Sequence, residues 1–241
     1  MSLLRLRLES CVKSDNKWLI DAEQAHHLVR VRRCCSGSLV EGLLNGERLE
    51  LKLLCEGDAF LAEEVSRERE PLMVPEIHLL LALLKNEQFD DALRFSAEIG
   101  VHTIHLLACE RSVPRYEGKK LDEKMVRWRK ILDEATKQAG SARPPYLTAP
   151  CTLSKFNFNS LPRVKYAALL APSALPLKSL RETDKLSVAI GPEGDWTSEE
   201  SRLLLDKDFI PVSLGKRILR ASTAVAAACS WFALNVSENG I

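Results

Sequence analysis

Residues 186–228, LSVAIGPEGDWTSEESRLLLDKDFIPVSLGKRILRASTAVAAA, read as strand, glycine loop, helix, strand, second glycine loop and small-residue helix. Leu186 to Ile190 is an apolar run that stops at Gly191, the pattern of a buried parallel strand. Gly191 and Gly194 bracket Pro192 and Glu193, and glycine lets a backbone turn sharply or a ligand come close. Thr197 and Glu200 have capping-box spacing, which predicts a helix from Ser198. Ile210 to Leu214 is the next strand, and Gly215 opens the second loop. Two glycine loops at the ends of adjacent strands are where open α/β sheets bind ligands.

Outward from this stretch the same grammar continues. Ile77 to Leu84 is a nearly continuous apolar run and Val101 to Cys109 another, both buried strands. Between them Gln88 to Ile99 repeats Phe89, Ala92, Leu93 and Ala97 at helical spacing, with Gly100 as C-cap. Lys124 to Gln138 predicts a helix with Trp128, Ile131, Leu132 and Ala135 on one side, and Lys165 to Ala171 a further strand. Alternating strands and helices indicate a parallel α/β sheet. Residues 1 to about 70 differ. Leu3 to Leu8 alternates like a half-buried strand, and Asp21 to Arg33 suits a short helix capped by Asp21. Asn45-Gly46 between two strand-like runs is a strong hairpin signal, and Ala59 to Val65 reads as another strand. Several short strands with close turns suggest a small barrel. Glu68 to Pro75, with Pro71 and Pro75, is the candidate linker. The expected domains are therefore 1–70, a β-rich unit, and 71–241, an α/β unit.

Composition excludes several classes. No apolar run approaches the ~20 residues of a membrane span. Arg5, Arg7 and Glu9 interrupt any leader-like start, so a cytoplasmic protein is expected. Seven cysteines without C-x-x-C fit reduced thiols. His102 and His105 are expected on opposite faces of a strand, so no metal site is expected. Net charge is +1, but its distribution is uneven: residues 111–143 hold ten Lys and Arg against five Asp and Glu. That segment suits phosphate contact or a solvated helix face. G-x-G-x-x-G is absent, so a dinucleotide fingerprint is excluded.

The pair IGPEG…SLGKRILRASTA resembles the C-terminal signature of the RsmE-type RNA methyltransferases of the SPOUT superfamily. KNEQFDDALRFSAEIGVHTIHLLACERSV and RWRKILDEATKQAGSARPPYLTAP match the same family's pattern in the right order, and HHLVRVRR more weakly. The resemblance implies a C-terminal SPOUT α/β trefoil-knot domain after a PUA-like N-terminal barrel. It implies methylation of a uridine N3 in 16S-type small-subunit ribosomal RNA, by a homodimer using S-adenosyl-L-methionine. The implied cofactor loops are Leu170-Ala171, Ile190 to Gly194 (with Gly191 and Pro192), and Leu214 to Leu219 (with Gly215 and Ile218). Uracil N3 is a weak nucleophile until its proton leaves, so the enzyme must help remove the proton or stabilise the imide anion, and an arginine near the carbonyl oxygens would do the second. Arg220 is the first candidate, Arg111 the second, and Glu193 could contact the donor or orient a base. Arg30, Arg32, Arg33, Lys85, Arg127, Gln138 and Arg143 are the implied RNA contacts. Asp195 and Ser222 stand where the family commonly has glycine and glutamate. Ala221 to Ala228 suits close packing, either within the chain or at a dimer interface.

Overall fold

The computed structural model describes residues 4–28, 33–56, 59–180 and 183–235. The chain divides into two compact units: Met1–Pro71 with Thr136–Arg143, and Leu72–Ala135 with Pro144–Ile241.

The first unit is a curled six-stranded sheet. Its strands are β1 (Arg5–Arg7), β2 (Val12–Ser14), β3 (Lys17–Leu19), β4 (Leu39–Leu44), β5 (Glu47–Glu56) and β6 (Ala59–Arg69). They lie in the order β1-β4-β5-β6-β3-β2, antiparallel except for β1 beside β4. A register shift between Glu50 and Leu51 marks a bulge, which bends the strand. Leu6, Trp18, Val40, Leu49, Leu51 and Leu53 form its core, the inward half of an alternating pattern. Asn45 and Gly46 both take positive φ, 47° and 81°, so the predicted two-residue turn is present. Of the helix expected over 21–33, residues 29–32 lie outside the described residues. Helix α1 (Ala22–His26) is capped by Asp21, whose carboxylate accepts from the Gln24 N–H. Arg33 has φ 55°, outside any right-handed helix. Strand β6 runs to Arg69, so the expected linker loses its first two residues to pairing with β5.

The second unit holds seven parallel strands. They are β7 (Glu76–Ala82), β8 (Thr103–Leu107), β9 (Tyr146–Leu147), β10 (Val164–Ala168), β11 (Leu175–Pro176), β12 (Lys185–Ile190) and β13 (Ile210–Ser213), in the order β11-β13-β10-β12-β7-β8-β9. Helices α2 (Asn86–Ile99), α3 (Gly118–Ala139), α4 (Ser198–Asp206) and α5 (Ala221–Leu234) accompany them. Alternate residues of β7 face two cores. Leu79 and Leu81 join Phe89, Leu93, Val225 and Phe232, and Leu80 and Ala82 join Leu107, Trp196 and Leu204. This double burial is why the strands read as continuous apolar runs. Gly100 closes α2 at φ 88°, and Thr197 and Glu200 form the capping box of α4, both as the sequence predicts. Helix α3 begins six residues before the expected Lys124, since its exposed first turns lack apolar periodicity.

The histidine expectation fails. The rings of His102 and His105 both stack on His78, at centroid distances of 5.6 and 5.4 Å. His102 lies one residue ahead of β8, where pleat alternation does not hold its side chain. No helix among the described residues is long and apolar enough to cross a membrane.

Candidate active site

Consecutive strands β12 and β13 lie on opposite sides of β10, so the chain crosses that strand between them. The loops leaving β10, β12 and β13 converge at one edge of the sheet, where α/β folds bind ligands. They enclose a cavity of about 360 Å³, within the ~300–1,000 Å³ of small-molecule sites. Leu170, Ile190, Gly191, Pro192, Leu214, Gly215, Ile218 and Leu219 line it, as do Glu193 and Arg220. The structure therefore brings together eight of the ten residues expected around a cofactor. Ala171 and Gly194 do not reach the wall. Leu170 and Ile218 are 73% and 83% exposed, an apolar rim around a partly polar wall.

The loop after β12 owes its shape to close approaches. Neither Gly191 nor Gly194 has a positive φ; that conformation falls on Asp195, at φ 60°. A Cβ on Gly191 would stand 2.9 Å from Trp196 Nε1, and one on Gly194 would stand 3.1 Å from Arg111 Cβ. The Trp196 ring beneath donates its N–H to the Ala168 carbonyl (3.3 Å), tying this loop to the end of β10. Asp195 supports its left-handed backbone locally: its Oδ1 accepts from the Trp196 N–H (2.8 Å). A short acidic side chain tolerates that region, so Asp195 substitutes for glycine without dismantling the turn.

Three charged candidates occupy different positions. Arg220 is the N-cap residue of α5, extended, exposed and on the cavity wall. Among the described residues it has no carboxylate partner. The positive end of the α5 dipole adds to its charge. Glu193 also lines the cavity, and its Oε1 accepts from the Lys85 N–H (2.9 Å) at the start of α2. Lys85 makes no side-chain cap of its own, so the remote carboxylate serves that terminus. Arg111 lies off the cavity wall. Its Nη1 donates to the carbonyls of Gly194 (2.9 Å) and Trp196 (3.4 Å), clasping the loop from behind.

Arg127 makes a two-pronged ion pair with the buried Asp90 of α2, through Nη1–Oδ1 at 3.0 Å and Nη2–Oδ2. This bonding makes it a bridge between α3 and α2. Arg143 donates from Nε and Nη2 to the Glu70 carbonyl (3.2 and 2.7 Å). Its guanidinium covers Gly46, where a Cβ would meet Cζ at 2.5 Å. Gln138 is exposed, and its carbonyl accepts from Arg5 (3.0 Å). Lys85 and Arg33 are exposed; Arg30 and Arg32 lie outside the described residues.

Sequence reasoning missed Gln88, although the quoted KNEQ motif contains it. It sits in the first turn of α2 and lines the cavity, and its Oε1 is buried without a partner among the described residues. A buried acceptor left unpaired costs about 1–3 kcal/mol, so it fits a ligand that brings a donor. This orphaned oxygen and the apolar rim suit a molecule that carries an amine donor on a flat ring. S-adenosylmethionine is such a molecule. A second cavity, of about 920 Å³, opens at the ends of β7 and β8, with Cys109 and Cys151 on its wall. Burial, aided by Glu200, pushes the Cys109 thiol far above its usual range, and burial raises Cys151 too. Neither is a thiolate nucleophile at neutral pH.

Comparison with known proteins agrees with this geometry. A family model described as an RNA methyltransferase domain matches residues 70–233, and the fold is of the SPOUT methyltransferase type. The Synechocystis sp. protein named Ribosomal RNA small subunit methyltransferase E is 35% identical over 215 residues, covering 85% of this chain and 69% of the relative. Borreliella burgdorferi Ribosomal RNA small subunit methyltransferase E 2 is 29% identical, covering 96% of this chain and 97% of the relative. A Legionella pneumophila methyltransferase solved in complex with the cofactor SAM superposes with TM-score 0.84 at 25% identity, covering 95% of this chain and 96% of that one. The chain thus belongs to the ribosomal RNA small subunit methyltransferase E family.

Proposed function

We infer that this chain is an S-adenosylmethionine-dependent methyltransferase acting on 16S-type small-subunit ribosomal RNA, at N3 of a uridine. The observation that carries the reading is the cavity at the three strand ends, with Gln88 on its wall and the Arg220 guanidinium beside it, without a carboxylate partner among the described residues. Leu214, Ile218 and Leu219 would hold the flat part of the cofactor, and the backbone of Ile190 to Pro192 its polar edge. The cofactor, when bound, supplies an electrophilic methyl group. The rest is positioning and charge. Arg220 stabilises the negative charge that spreads to the uracil carbonyl oxygens as N3 loses its proton. Arg111 is a positioning residue, holding the Gly194 turn that closes one wall. Glu193 locks the same loop to α2.

Acting on ribosomal RNA implies a cytoplasmic site of action. We read the active form as a homodimer, supported by the apolar rim at Leu170 and Ile218 and by the exposed Leu234 at the end of small-residue helix α5.

The experiment combines calorimetric titration of S-adenosylmethionine with methyl transfer to small-subunit RNA, followed by mapping of the modified nucleotide. Saturable binding, with a methyl group on uridine N3, is expected. Arg220→Ala is expected to keep cofactor affinity and lower kcat by at least ~10²-fold, as for the loss of one charge-stabilising donor. Absence of cofactor binding would remove the enzyme reading. A methyl group on another atom or another RNA would remove the stated target alone.

A further inference from the structure

The opposite end of the second unit's sheet carries a separate set of groups. Glu76 opens β7, and His78 follows two residues later on the same face. Thr103 of β8 lies level with His78 on one side, and Ser187 of β12 on the other. His102 stands just before β8, exposed. His78 Nε2 is 3.0 Å from Glu76 Oε1, and His102 Nδ1 is 3.9 Å from the same oxygen. One ligand atom from each of the three lies within 4.8 Å of the others.

The surroundings support these groups as ligands. His78 Nδ1 faces Nε2 of the buried His105 at 3.1 Å, and His105 is itself wedged edge-on against Phe156. Metal-bound histidines usually have their second nitrogen held in this way. A neutral imidazole carries one N–H. When His78 donates Nδ1–H to His105, its Nε2 lone pair points at a carboxylate oxygen, and a cation between the two satisfies both. Ser187 is wholly buried, and its Oγ has no partner among the described residues.

We propose that Glu76, His78 and His102 form a binding site for a divalent transition-metal ion of the zinc class, at the strand ends remote from the methyl-transfer cavity. Two imidazoles and one carboxylate suit Zn²⁺, Ni²⁺ or Cu²⁺ and not Mg²⁺ or Ca²⁺, which require oxygen-rich shells. Tetrahedral ligation at about 2.0–2.1 Å needs the half-exposed His102 ring to give up the contact of its Nδ1 with Thr103 Oγ1 (2.9 Å) and swing inward. Lys185 bears on affinity. Its Nζ contacts Glu76 Oε2 at 2.6 Å, so the carboxylate binds through Oε1 alone and the ammonium opposes the ion. Three protein ligands leave one position for water. The ion clamps the starts of β7 and β8 together, so its consequence is thermal stability.

The test is titration of the full chain with Zn²⁺ and with Co²⁺, read by calorimetry, thermal unfolding and absorption. One ion per chain is expected. The Co²⁺ spectrum should show d–d bands without thiolate charge transfer, which separates this site from the cysteines. His102→Ala, at an exposed position that the fold does not need, should weaken binding at least ~10-fold and abolish the zinc-dependent rise in Tm. Lys185→Met should tighten binding by removing the opposing charge. The proposal is overturned if zinc leaves Tm unchanged in the wild type, if His102→Ala binds as tightly as the wild type, or if thiolate charge transfer dominates. None of these outcomes touches the methyltransferase reading, because the readouts do not involve activity.

Discussion

Gln88 and Asp195 depart from what a packed core and a relaxed turn would favour, and each departure has a consequence. The Gln88 oxygen is buried and unpaired, so the protein without ligand bears its desolvation cost. Gln88→Leu keeps the volume and removes the orphan. The expected result is unchanged or slightly raised stability, by up to ~1 kcal/mol, with cofactor affinity lowered about 10-fold, the value of one hydrogen bond. Thermal unfolding and calorimetry on the same sample check both halves; a residue that serves packing alone would lose stability and keep affinity. Asp195 carries φ 60° at a turn that itself lines the cavity. A β-branched residue there is strained by about 1–3 kcal/mol, so Asp195→Val should lower Tm and weaken cofactor binding together. Asp195→Gly should preserve both, because glycine adopts that conformation freely. Equal behaviour of the two variants, measured by unfolding and titration, would contradict the account of this loop.

At the scale of elements, what could be read from the sequence follows the distance over which each device acts. The α4 capping box spans four residues, the Asn45-Gly46 turn two, and the Gly100 cap closes the helix it follows; all three were readable. The start of α2 is held by Glu193, 108 residues away, and α3 is tied to α2 by Arg127 and Asp90, 37 residues apart. Neither pairing leaves a local pattern. The glycine loops announced the cavity because strand ends carry them. Gln88 stayed hidden because its direction depends on which strands neighbour β7. Strand β6 offers another long-range device. Glu64 accepts from Arg67 (2.9 and 3.0 Å), Lys13 (2.8 Å) and Trp18 Nε1 (3.3 Å), fastening β2 and β3 to the sheet. The Arg67 hydrogen bonds, helped by those from Lys13 and Trp18 and opposed by burial, bring its carboxyl down to about 2 from the ordinary 4.5. A depressed carboxyl pKa stabilises fully above the unfolded value and is lost as pH falls through the folded one. The wild type should therefore exceed Glu64→Gln in stability by about 1–2 kcal/mol at pH 7, discounted because Arg67 and Lys13 are partly solvated. That margin should close between pH 4.5 and 2, as followed by urea unfolding across this range. A constant margin would mean that packing, not charge, is the source.

For the molecule as a whole, the first unit is not a contiguous piece of sequence. It takes in Thr136–Arg143, where α3 ends, besides its N-terminal 71 residues. Composition could not reveal this, because the segment belongs in pattern to a helix of the second unit. The bonds it makes are specific. The Gly46 N–H donates to the Ala142 carbonyl (2.9 Å), completing the hairpin turn. The Glu70 carboxylate accepts from the Ala142 N–H (2.6 Å) and the Ser141 hydroxyl (3.2 Å). Arg143 lies over Gly46 and holds the Glu70 carbonyl, and Arg5 reaches the Gln138 carbonyl. Without the segment, the partly buried Glu70 loses the donors from Ser141 and Ala142, a cost of about 1–3 kcal/mol for an unpaired buried group on a β-domain small enough to be marginal. A fragment of residues 1–71 is therefore expected to unfold at lower temperature than one in which residues 136–143 are appended through a flexible linker. Within the appended fragment, Arg143→Ala should lower the melting temperature part of the way back to that of residues 1–71 alone, since it removes both the carbonyl contacts and the cover over Gly46. Thermal unfolding followed by circular dichroism decides this. Equal melting of the two fragments would mean that the hairpin and sheet alone stabilise the unit, and that the returning segment is a passenger.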